Sequence, residues 1–141
     1  MSAPMSLRRR IRVVLEVGYA LWWMVRIEVS LRRRDLATTC RRLGIAHDLD
    51  SAAPPATEQA VLPRRTKPAV SASRFMVASW PAGNTCLRRC LLIGHRLRDL
   101  SPVLRIGVRR DDAGFLAHSW LEIDGRTLDP SAADFATLGR S

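Results

Sequence analysis

The dipeptide Asp124-Gly125 constrains the fold of this chain more than any other short stretch of its sequence. Asp-Gly is a preferred sequence for a two-residue β-hairpin turn, and segments of strand-like composition lie on both sides of it. Phe115–Ile123 is predicted as the strand before the turn, and Arg126–Asp129 as the strand after it. The alternation in Val103–Arg109 predicts another strand. We therefore expect an antiparallel sheet in the C-terminal part of the chain.

The predicted turn also determines which side chains of the hairpin share a face. With the Asp-Gly pair as the loop, Trp120 lies directly opposite Asp129, and His118 lies on the same face as Trp120. His118 and Asp129 are then diagonal neighbours, about 7–8 Å apart between backbones, and their side chains can form a hydrogen bond. Glu122 shares that face but lies roughly 13 Å along the strand from His118. A one-residue change of register would move Asp129 to the other face, so this prediction depends on the turn.

The N-terminal part is predicted to be helical. Residues 7 to about 34 read as one long helix, in which apolar residues recur at helical spacing. These apolar residues are Val13, Val17, Ala20, Met24 and Ile27. Trp22 and Trp23 add apolar surface to other faces, which indicates burial on more than one side or contact with another chain. A second helix is predicted over Asp35–Leu43, ending at Gly44, because glycine favours helix C-termini.

The apolar N-terminal stretch lacks the features of a signal peptide and those of a membrane span. A signal peptide needs a small-residue cleavage site after its apolar run, and none follows here. A spanning helix needs about 18 or more residues with few charges. Glu16 interrupts the run, and Arg26 and Glu28 close it, which leaves only Val17–Val25 uncharged. We expect a helix that is soluble or lies on a membrane surface.

Prolines mark a boundary within the chain. Residues 48–73 contain four of them among small and polar residues, namely Pro54, Pro55, Pro63 and Pro68. This density argues against regular structure, so the segment is predicted to be an extended connector. It joins an N-terminal helical region, residues 1–47, to a region with catalytic features, residues 74–141. A length of 141 residues corresponds to one compact domain overall.

The composition is strongly basic, with 23 Lys plus Arg against 13 Asp plus Glu and a formal net charge of +10. Such a surface suits nucleic acid, anionic lipid or an acidic polypeptide, although a solvated basic surface without such a partner explains it equally well. The three cysteines do not form the dense, even set of a small secreted disulfide domain. We therefore expect reduced thiols and a cytoplasmic protein.

Two of the cysteines lie in the stretch NTCLRRC, residues 84–90. A helix is predicted over Cys86–Leu97, with Asn84 or Thr85 as its N-cap, so that Cys86 lies in the first turn. The free N–H groups and the positive end of the helix dipole favour a thiolate at this position. A thiolate in the first turn is the expected form of a cysteine nucleophile.

Other roles for the cysteines are less well supported. A disulfide between Cys86 and Cys90 would require unsuitable geometry within one helix. A zinc site could count His95 as a third ligand, but no fourth ligand lies at convincing spacing, so no metal is expected. Cys90 and Cys40 fit the common role of buried, unreactive thiols.

Only one of the three histidines has a candidate catalytic partner close to it. His95 lies nine residues along the predicted helix, roughly 13 Å from Cys86, and His47 lies near the connector without other catalytic residues. His118 has Asp129 beside it in the predicted hairpin. Cys86, His118 and Asp129 therefore follow the logic of a Cys-His-Asp triad, in which the thiolate attacks a carbonyl, the imidazole moves the proton and the carboxylate fixes the tautomer.

The sequence of residues 84–130 closely resembles the transglutaminase-like domain of the leader peptidases of lasso-peptide biosynthesis. The shared motifs are a Cys-Leu-x-Arg stretch that opens a helix, an Ile-Gly-Val strand, a Phe-x-x-His-x-Trp-x-Glu strand and an aspartate after an Asp-Gly turn. They occur here at Cys86–Arg89, Ile106–Val108, Phe115–Glu122 and Asp129. The basic helical N-terminus is similar to the stand-alone, short form of that family. The sequence departs from the family pattern at Cys90, where serine is usual, and at Ser119, where alanine is common.

The resemblance implies an α+β fold of the papain/transglutaminase type with an N-terminal helical extension. It implies a cysteine peptidase that needs no cofactor and removes the leader region of a ribosomally made precursor peptide. A separate leader-recognition protein of winged-helix type would deliver the precursor, and an ATP-dependent lasso cyclase would close the ring on the freed amine. The alternatives are an amine acyltransferase and a non-catalytic basic module that binds nucleic acid or membrane. Under the peptidase interpretation we expect no nucleic-acid partner and leave contact with the membrane surface open.

Overall fold

The structure is a computed structural model that describes residues 5–83 and 85–137. Its helices are α1 (Leu7–Arg33), α2 (Leu36–Leu43), α3 (Lys67–Ala78) and α4 (Cys86–Arg96), with short 3-10 helices at Arg64–Thr66, Arg98–Leu100 and Pro130–Asp134. Its strands are β1 (Ala46–Asp48), β2 (Val103–Asp111), β3 (Gly114–Ile123), β4 (Arg126–Thr127) and β5 (Ala136–Thr137). Asn84, one of the two predicted caps of α4, lies outside the described residues.

The strands form one mixed sheet in the order β1-β2-β3-β4. The long pair β2 and β3 is antiparallel, and its register runs from Val103 opposite Glu122 to Asp111 opposite Gly114. β1 lies parallel to the start of β2, and β5 pairs antiparallel with Gly107 and Val108 of the same strand. With four helices beside this sheet, the architecture is α+β, as predicted.

The Asp-Gly turn has the predicted geometry. Asp124 and Gly125 both adopt positive φ, 51° and 70°, which is the conformation that a two-residue hairpin turn of this type requires. Ile123 pairs with Arg126 and Glu122 with Thr127, which is the register expected from the sequence. The Leu128 N–H then donates to the Leu121 carbonyl at 2.9 Å, so the ladder continues toward Asp129.

The helices pack on one another and on the sheet through a shared apolar core. Of the five apolar residues at the predicted spacing, Ala20, Met24 and Ile27 are fully buried. Val17 is partly buried, and Val13 is 45% exposed. α1 contacts α3 and α4, and α4 in turn packs against β3. The second helix ends at Gly44 in the left-handed conformation, with φ of 74°, as its sequence indicated. The N-terminal helix is therefore an integral layer of the domain.

The predicted connector is partly wrong. α3 begins at Lys67, inside the segment for which proline density argued against regular structure, and a 3-10 turn precedes it at Arg64–Thr66. Pro68 lies in the first turn of α3, where a missing backbone N–H breaks no helical hydrogen bond. Residues 49–63 do lack helices and strands, apart from an isolated bridge between Gln59 and Thr127.

Within the described parts of the chain, no helix is both long and apolar enough to cross a membrane.

Candidate active site

His118 and Asp129 form the centre of the candidate site. His118 is on β3, Asp129 follows β4, and the hairpin register brings His118 Nε2 within 2.5 Å of Asp129 Oδ2. Both side chains are mostly buried, with 20% and 32% of their surfaces exposed. An ionised carboxylate can only accept a hydrogen bond, so Nε2 carries the proton and donates a hydrogen bond to Asp129. The contact therefore sets the ring orientation and the tautomer of His118.

A second set of hydrogen bonds holds Asp129 in place. Its other oxygen, Oδ1, accepts from the Ser131 backbone N–H at 2.9 Å and from the Ser131 hydroxyl at 2.7 Å, which caps the 3-10 helix Pro130–Asp134. The Thr127 hydroxyl also donates to the Asp129 carbonyl at 2.9 Å and accepts from the Asp129 backbone N–H at 3.0 Å. Burial on its own would raise the pKa of the Asp129 carboxyl, but the bonds from Ser131 and His118 outweigh it and hold that pKa below its usual value.

The imidazole of His118 is enclosed by aromatic rings. Phe135 lies 4.8 Å from it between ring centroids, and Trp120 lies 6.2 Å away in a stacked arrangement. Because Asp129 binds Nε2, the nitrogen left for proton transfer is Nδ1. That atom forms no hydrogen bond within the described part of the chain. The ring is thus held on one side and open for chemistry on the other.

Cys86 reaches the same site from α4. It is the first residue of that helix, and the Thr85 hydroxyl caps the helix by accepting from the Arg88 backbone N–H at 3.3 Å. Cys86 is partly exposed, and it lines a cavity of about 250 Å³ together with His118 and Asp129. The structure therefore brings all three predicted residues to the wall of one cavity, with the cysteine at a helix start.

Cys90 and Cys40 are in different environments from Cys86. Cys90 lies one helical turn deeper, borders the same cavity, and is buried, and this burial raises the pKa of its thiol to about 12. Burial likewise raises the pKa of the Cys40 thiol to about 11. At neutral pH both thiols are protonated, and a protonated thiol is a poor nucleophile. Of the three cysteines, Cys86 has the surroundings that a reactive thiol requires.

The remaining histidines lie elsewhere. His95 is buried under the Trp23 ring, at 3.7 Å between centroids, and its Nδ1 lies 2.9 Å from the Leu43 carbonyl. Burial lowers the pKa of His95, which keeps the ring neutral in this packed position. His47 is exposed on β1. Among residues 5–83 and 85–137, no group of three or more His, Cys, Asp or Glu residues is arranged to hold a metal ion.

Glu122 lies in a buried hydrogen-bond network that the sequence did not predict. Its Oε1 accepts from Trp120 Nε1 at 3.0 Å and from the Ala56 backbone N–H at 2.9 Å, and its Oε2 accepts from buried Arg105 at 3.3 Å. Arg105 also donates to the Ala53 carbonyl at 2.6 Å. These bonds fix residues 53–56 against the sheet beside the site. A Glu among the apolar residues Trp120, Leu121 and Ile123 was the available signal.

The walls of the cavity include residues that sequence reasoning missed. They come from the end of the proline-rich segment and from α3, namely Leu62, Val70 and Arg74. Arg74 is exposed and forms no hydrogen bond or ion pair within the parts of the chain that the structure describes. Arg74 lies on α3, a helix that the prolines of residues 48–73 had argued against, so its place at the cavity was not predicted.

A Cys at a helix start, a His on one strand and an Asp after the next strand define a class of α+β enzymes with a cysteine nucleophile. Comparison with protein-family models matches residues 21–139 to the transglutaminase-like superfamily. The chain belongs to this superfamily, which includes cysteine peptidases and acyltransferases. Searches of curated proteins and of solved structures find no significant match.

Proposed function

We propose that this protein is a cysteine peptidase that removes the leader from a ribosomally made lasso-peptide precursor. The observation that supports it most directly is the 2.5 Å contact between His118 and Asp129, on the wall of a cavity that also exposes Cys86 at a helix start. The resemblance of residues 84–130 to leader peptidases supplies the substrate class. Within the superfamily, this proposal selects hydrolysis of a peptide bond.

The chemistry follows the positions of the three side chains. Cys86 Sγ attacks the scissile carbonyl carbon, and His118 Nδ1 takes the thiol proton and gives it to the departing amine. The carbon–nitrogen bond breaks, and the leader stays bound to Cys86 as a thioester. His118 then removes a proton from water, whose oxygen attacks the thioester carbon. The carbon–sulfur bond breaks, the leader leaves as a carboxylic acid, and His118 returns the proton to the Cys86 sulfur. Asp129 holds the imidazole ring and stabilises its protonated form throughout.

The cavity has features that suit a peptide with acidic side chains. Its apolar walls, which include Leu62 and Val70, can accept side chains near the scissile bond. The exposed guanidinium of Arg74 lies at the same cavity and can bind a substrate carboxylate. The proposed partners are a leader-recognition protein of winged-helix type, which would deliver the precursor, and an ATP-dependent lasso cyclase, which would use the freed amine.

Transfer of the acyl group to an amine is the second candidate, because the superfamily includes acyltransferases and both reactions share the thioester. The two reactions differ in the product. Hydrolysis gives a leader that ends in a carboxylate, whereas aminolysis gives a leader that ends in an amide. Mass spectrometry of the released leader, in water enriched in oxygen-18, separates them, because only hydrolysis introduces the label.

The experiment is cleavage of the cognate precursor by the purified protein together with the recognition protein. We expect two fragments whose masses together equal the precursor plus one water, and at least a thousandfold lower rate for Cys86→Ala. Cys90→Ser is the matched control, because it changes a buried thiol one turn away, and it should keep most of the rate. Normal cleavage by Cys86→Ala, with loss of cleavage in Cys90→Ser, would contradict the assignment of the nucleophile.

A further inference from the structure

The N-terminal helix α1 has two apolar faces. One face packs into the core through Ala20, Met24 and Ile27. The other is exposed, and its side chains follow the spacing four, three, four, four, three, four along the helix, with Gly18 in the middle position. We call these six side chains the outer stripe: Leu7, Ile11, Val14, Trp22, Val25 and Val29. At about 100° per residue they fall within an arc of roughly 80°, on the side of the helix away from the core.

The outer stripe is long and uncovered. It runs from Leu7 to Val29 of α1, which at 1.5 Å per residue is about 33 Å. The side chains range from 45% exposed at Val25 to 72% exposed at Leu7, and Trp22 is 59% exposed. A continuous apolar row of this length is uncommon on a soluble surface and marks a contact surface. None of the six side chains lines the cavity that holds Cys86, so the stripe is separate from the candidate active site.

The well-exposed charges that border the outer stripe are all positive. Arg8 and Arg26 border it on one side and Arg10 on the other. Glu16 lies on the opposite side of α1 from the stripe and pairs with Arg96 of α4. Glu28 lies on the same side as Arg10, but its side chain is only 12% exposed and it pairs with Arg88 of α4. The exposed surface of α1 therefore combines an apolar stripe with cationic borders. A partner for this surface needs negative charge beside an apolar layer.

This requirement disfavours a second copy of the chain. Two copies that met along their outer stripes would place arginine borders against arginine borders, and like charges at such positions oppose association. An anionic membrane satisfies both conditions, because acyl chains receive the apolar side chains while lipid phosphates lie at the level of the arginines. Arginine side chains extend toward the headgroups from such a position, and tryptophan favours the same interface.

We propose that α1 lies in the surface of an anionic membrane, with the outer stripe among the acyl chains and the bordering arginines on the lipid phosphates. The opposite face of α1 stays on the core, so the whole domain is held at the surface. The cavity with Cys86 and His118 stays open, because its walls come from other elements. This interaction is additional to the proposed peptidase activity and does not depend on it.

The test is flotation of the full-length protein with lipid vesicles. One set contains phosphatidylglycerol and phosphatidylcholine in equal amounts, and the other contains phosphatidylcholine alone. We expect binding to the anionic vesicles that is at least about tenfold tighter than to the neutral ones and weaker at high salt. The double variant Ile11→Gln, Trp22→Gln should bind the anionic vesicles about tenfold more weakly. Its melting curve should match the parent, because both side chains are exposed.

The matched control is Val61→Gln with Phe115→Gln, which removes one aliphatic and one aromatic side chain of high exposure outside α1. It should bind vesicles like the parent. Equal vesicle binding by the parent and the outer-stripe variant would overturn the proposal. Absence of vesicle binding by the parent would also overturn it. In that case, loss of a dimer in sedimentation of the stripe variant would indicate a second copy of the chain as the partner, and loss of stimulation by a leader-recognition protein would indicate that protein.

Discussion

At the scale of single residues, Asp129 has the most specific task in the site. One oxygen accepts a hydrogen bond from His118 Nε2, and the other accepts two hydrogen bonds from Ser131. These bonds hold the carboxylate group in one orientation. An amide in place of this carboxylate can present its own N–H to the ring, which favours the wrong tautomer. In the proposed mechanism, removing the negative charge would also destabilise the imidazolium that forms during acyl transfer.

Asp129→Asn should therefore keep the fold and lower kcat by about 10²–10⁴-fold, with a smaller change in KM. Steady-state kinetics of leader release measure this, and circular dichroism verifies the fold. Asp134→Asn is the control, because Asp134 lies in the 3-10 helix that follows Asp129 but is exposed. Its charged neighbour Arg109 is 4.0 Å away, which makes a weak ion pair. This variant should behave like the parent. Full turnover by a folded Asp129→Asn protein would disprove the role of this carboxylate.

At the scale of elements, a partly buried ion pair joins α1 to the helix that holds Cys86. Arg88 donates to both oxygens of Glu28, at 2.8 and 3.1 Å, and Trp80 Nε1 adds a third bond at 3.3 Å. The Arg88 hydrogen bond and charge, with Trp80, hold the pKa of Glu28 below its usual 4.5, against the opposing effect of burial. A depressed carboxyl pKa stabilises the fold above the unfolded pKa, and this contribution disappears as pH falls through the folded pKa.

Glu28→Gln should lower the free energy of unfolding by about 1–3 kcal/mol at pH 7, because it leaves Arg88 with a weaker partner. The gap between variant and parent should close as the pH falls below 4.5 and the parent carboxyl becomes protonated. Urea denaturation across this pH range measures both effects. Glu58→Gln removes an exposed pair with Arg126 and should cost about 0–1 kcal/mol. Equal losses in the two variants at pH 7 would show that the α1–α4 pair is not special.

The close packing of β2 against β5 is a second element-scale feature. A Cβ added at Gly107 would lie 2.8 Å from the Ala136 carbonyl oxygen, 2.9 Å from Trp120 and 3.0 Å from Phe135 Cβ. The backbone oxygen of Ala136 cannot yield without moving β5. Because Phe135 and Trp120 also contact the His118 ring, displacement there disturbs the position of His118.

Gly107→Ala should lower the melting temperature and reduce kcat together. Gly18→Ala is the comparison, since nothing lies within 4 Å of the added Cβ on α1. It should raise stability by roughly 1 kcal/mol through helix propensity and leave kcat unchanged. Calorimetry and kinetics on both variants provide the measurements. A Gly107→Ala enzyme with normal stability would show that β5 accommodates the methyl group easily.

At the scale of the whole molecule, the N-terminal helix completes the core. Ala20, Met24 and Ile27 are buried among residues of α3 and α4, whereas residues 5–15 are all exposed. Deletion of residues 1–34 should therefore abolish the cooperative thermal transition, because it uncovers the apolar faces of two other helices. Deletion of residues 1–14 should keep that transition. Scanning calorimetry separates the two outcomes. A cooperative transition in the protein that lacks residues 1–34 would mean that the rest of the chain folds without α1.

The sequence predicted the features that short-range rules control. The Asp-Gly turn determined the register that joins His118 to Asp129, and the spacing of Ala20, Met24 and Ile27 identified the buried face of α1. Turn type and helical periodicity are local, so one sequence is enough to read them.

The features that were missed depend on tertiary context. Pro68 suggested irregular structure but lies in the first turn of α3, where proline is tolerated. The pairing of Arg105 with Glu122 and the position of Arg74 at the cavity join elements far apart in the chain. No periodicity within one segment can reveal such contacts.

The proposal that Cys86 is the nucleophile, activated by His118, can be tested by alkylation of the folded protein without any substrate. At pH 8, with limiting iodoacetamide and peptide mapping by mass spectrometry, we predict rapid labelling of Cys86. Cys40 and Cys90 should stay unlabelled, because they are buried and their thiols have pKa values of about 11 and 12. In a His118→Ala variant the labelling of Cys86 should slow at least about tenfold. Preferential labelling of Cys90, or labelling of Cys86 at the same rate without His118, would contradict this account.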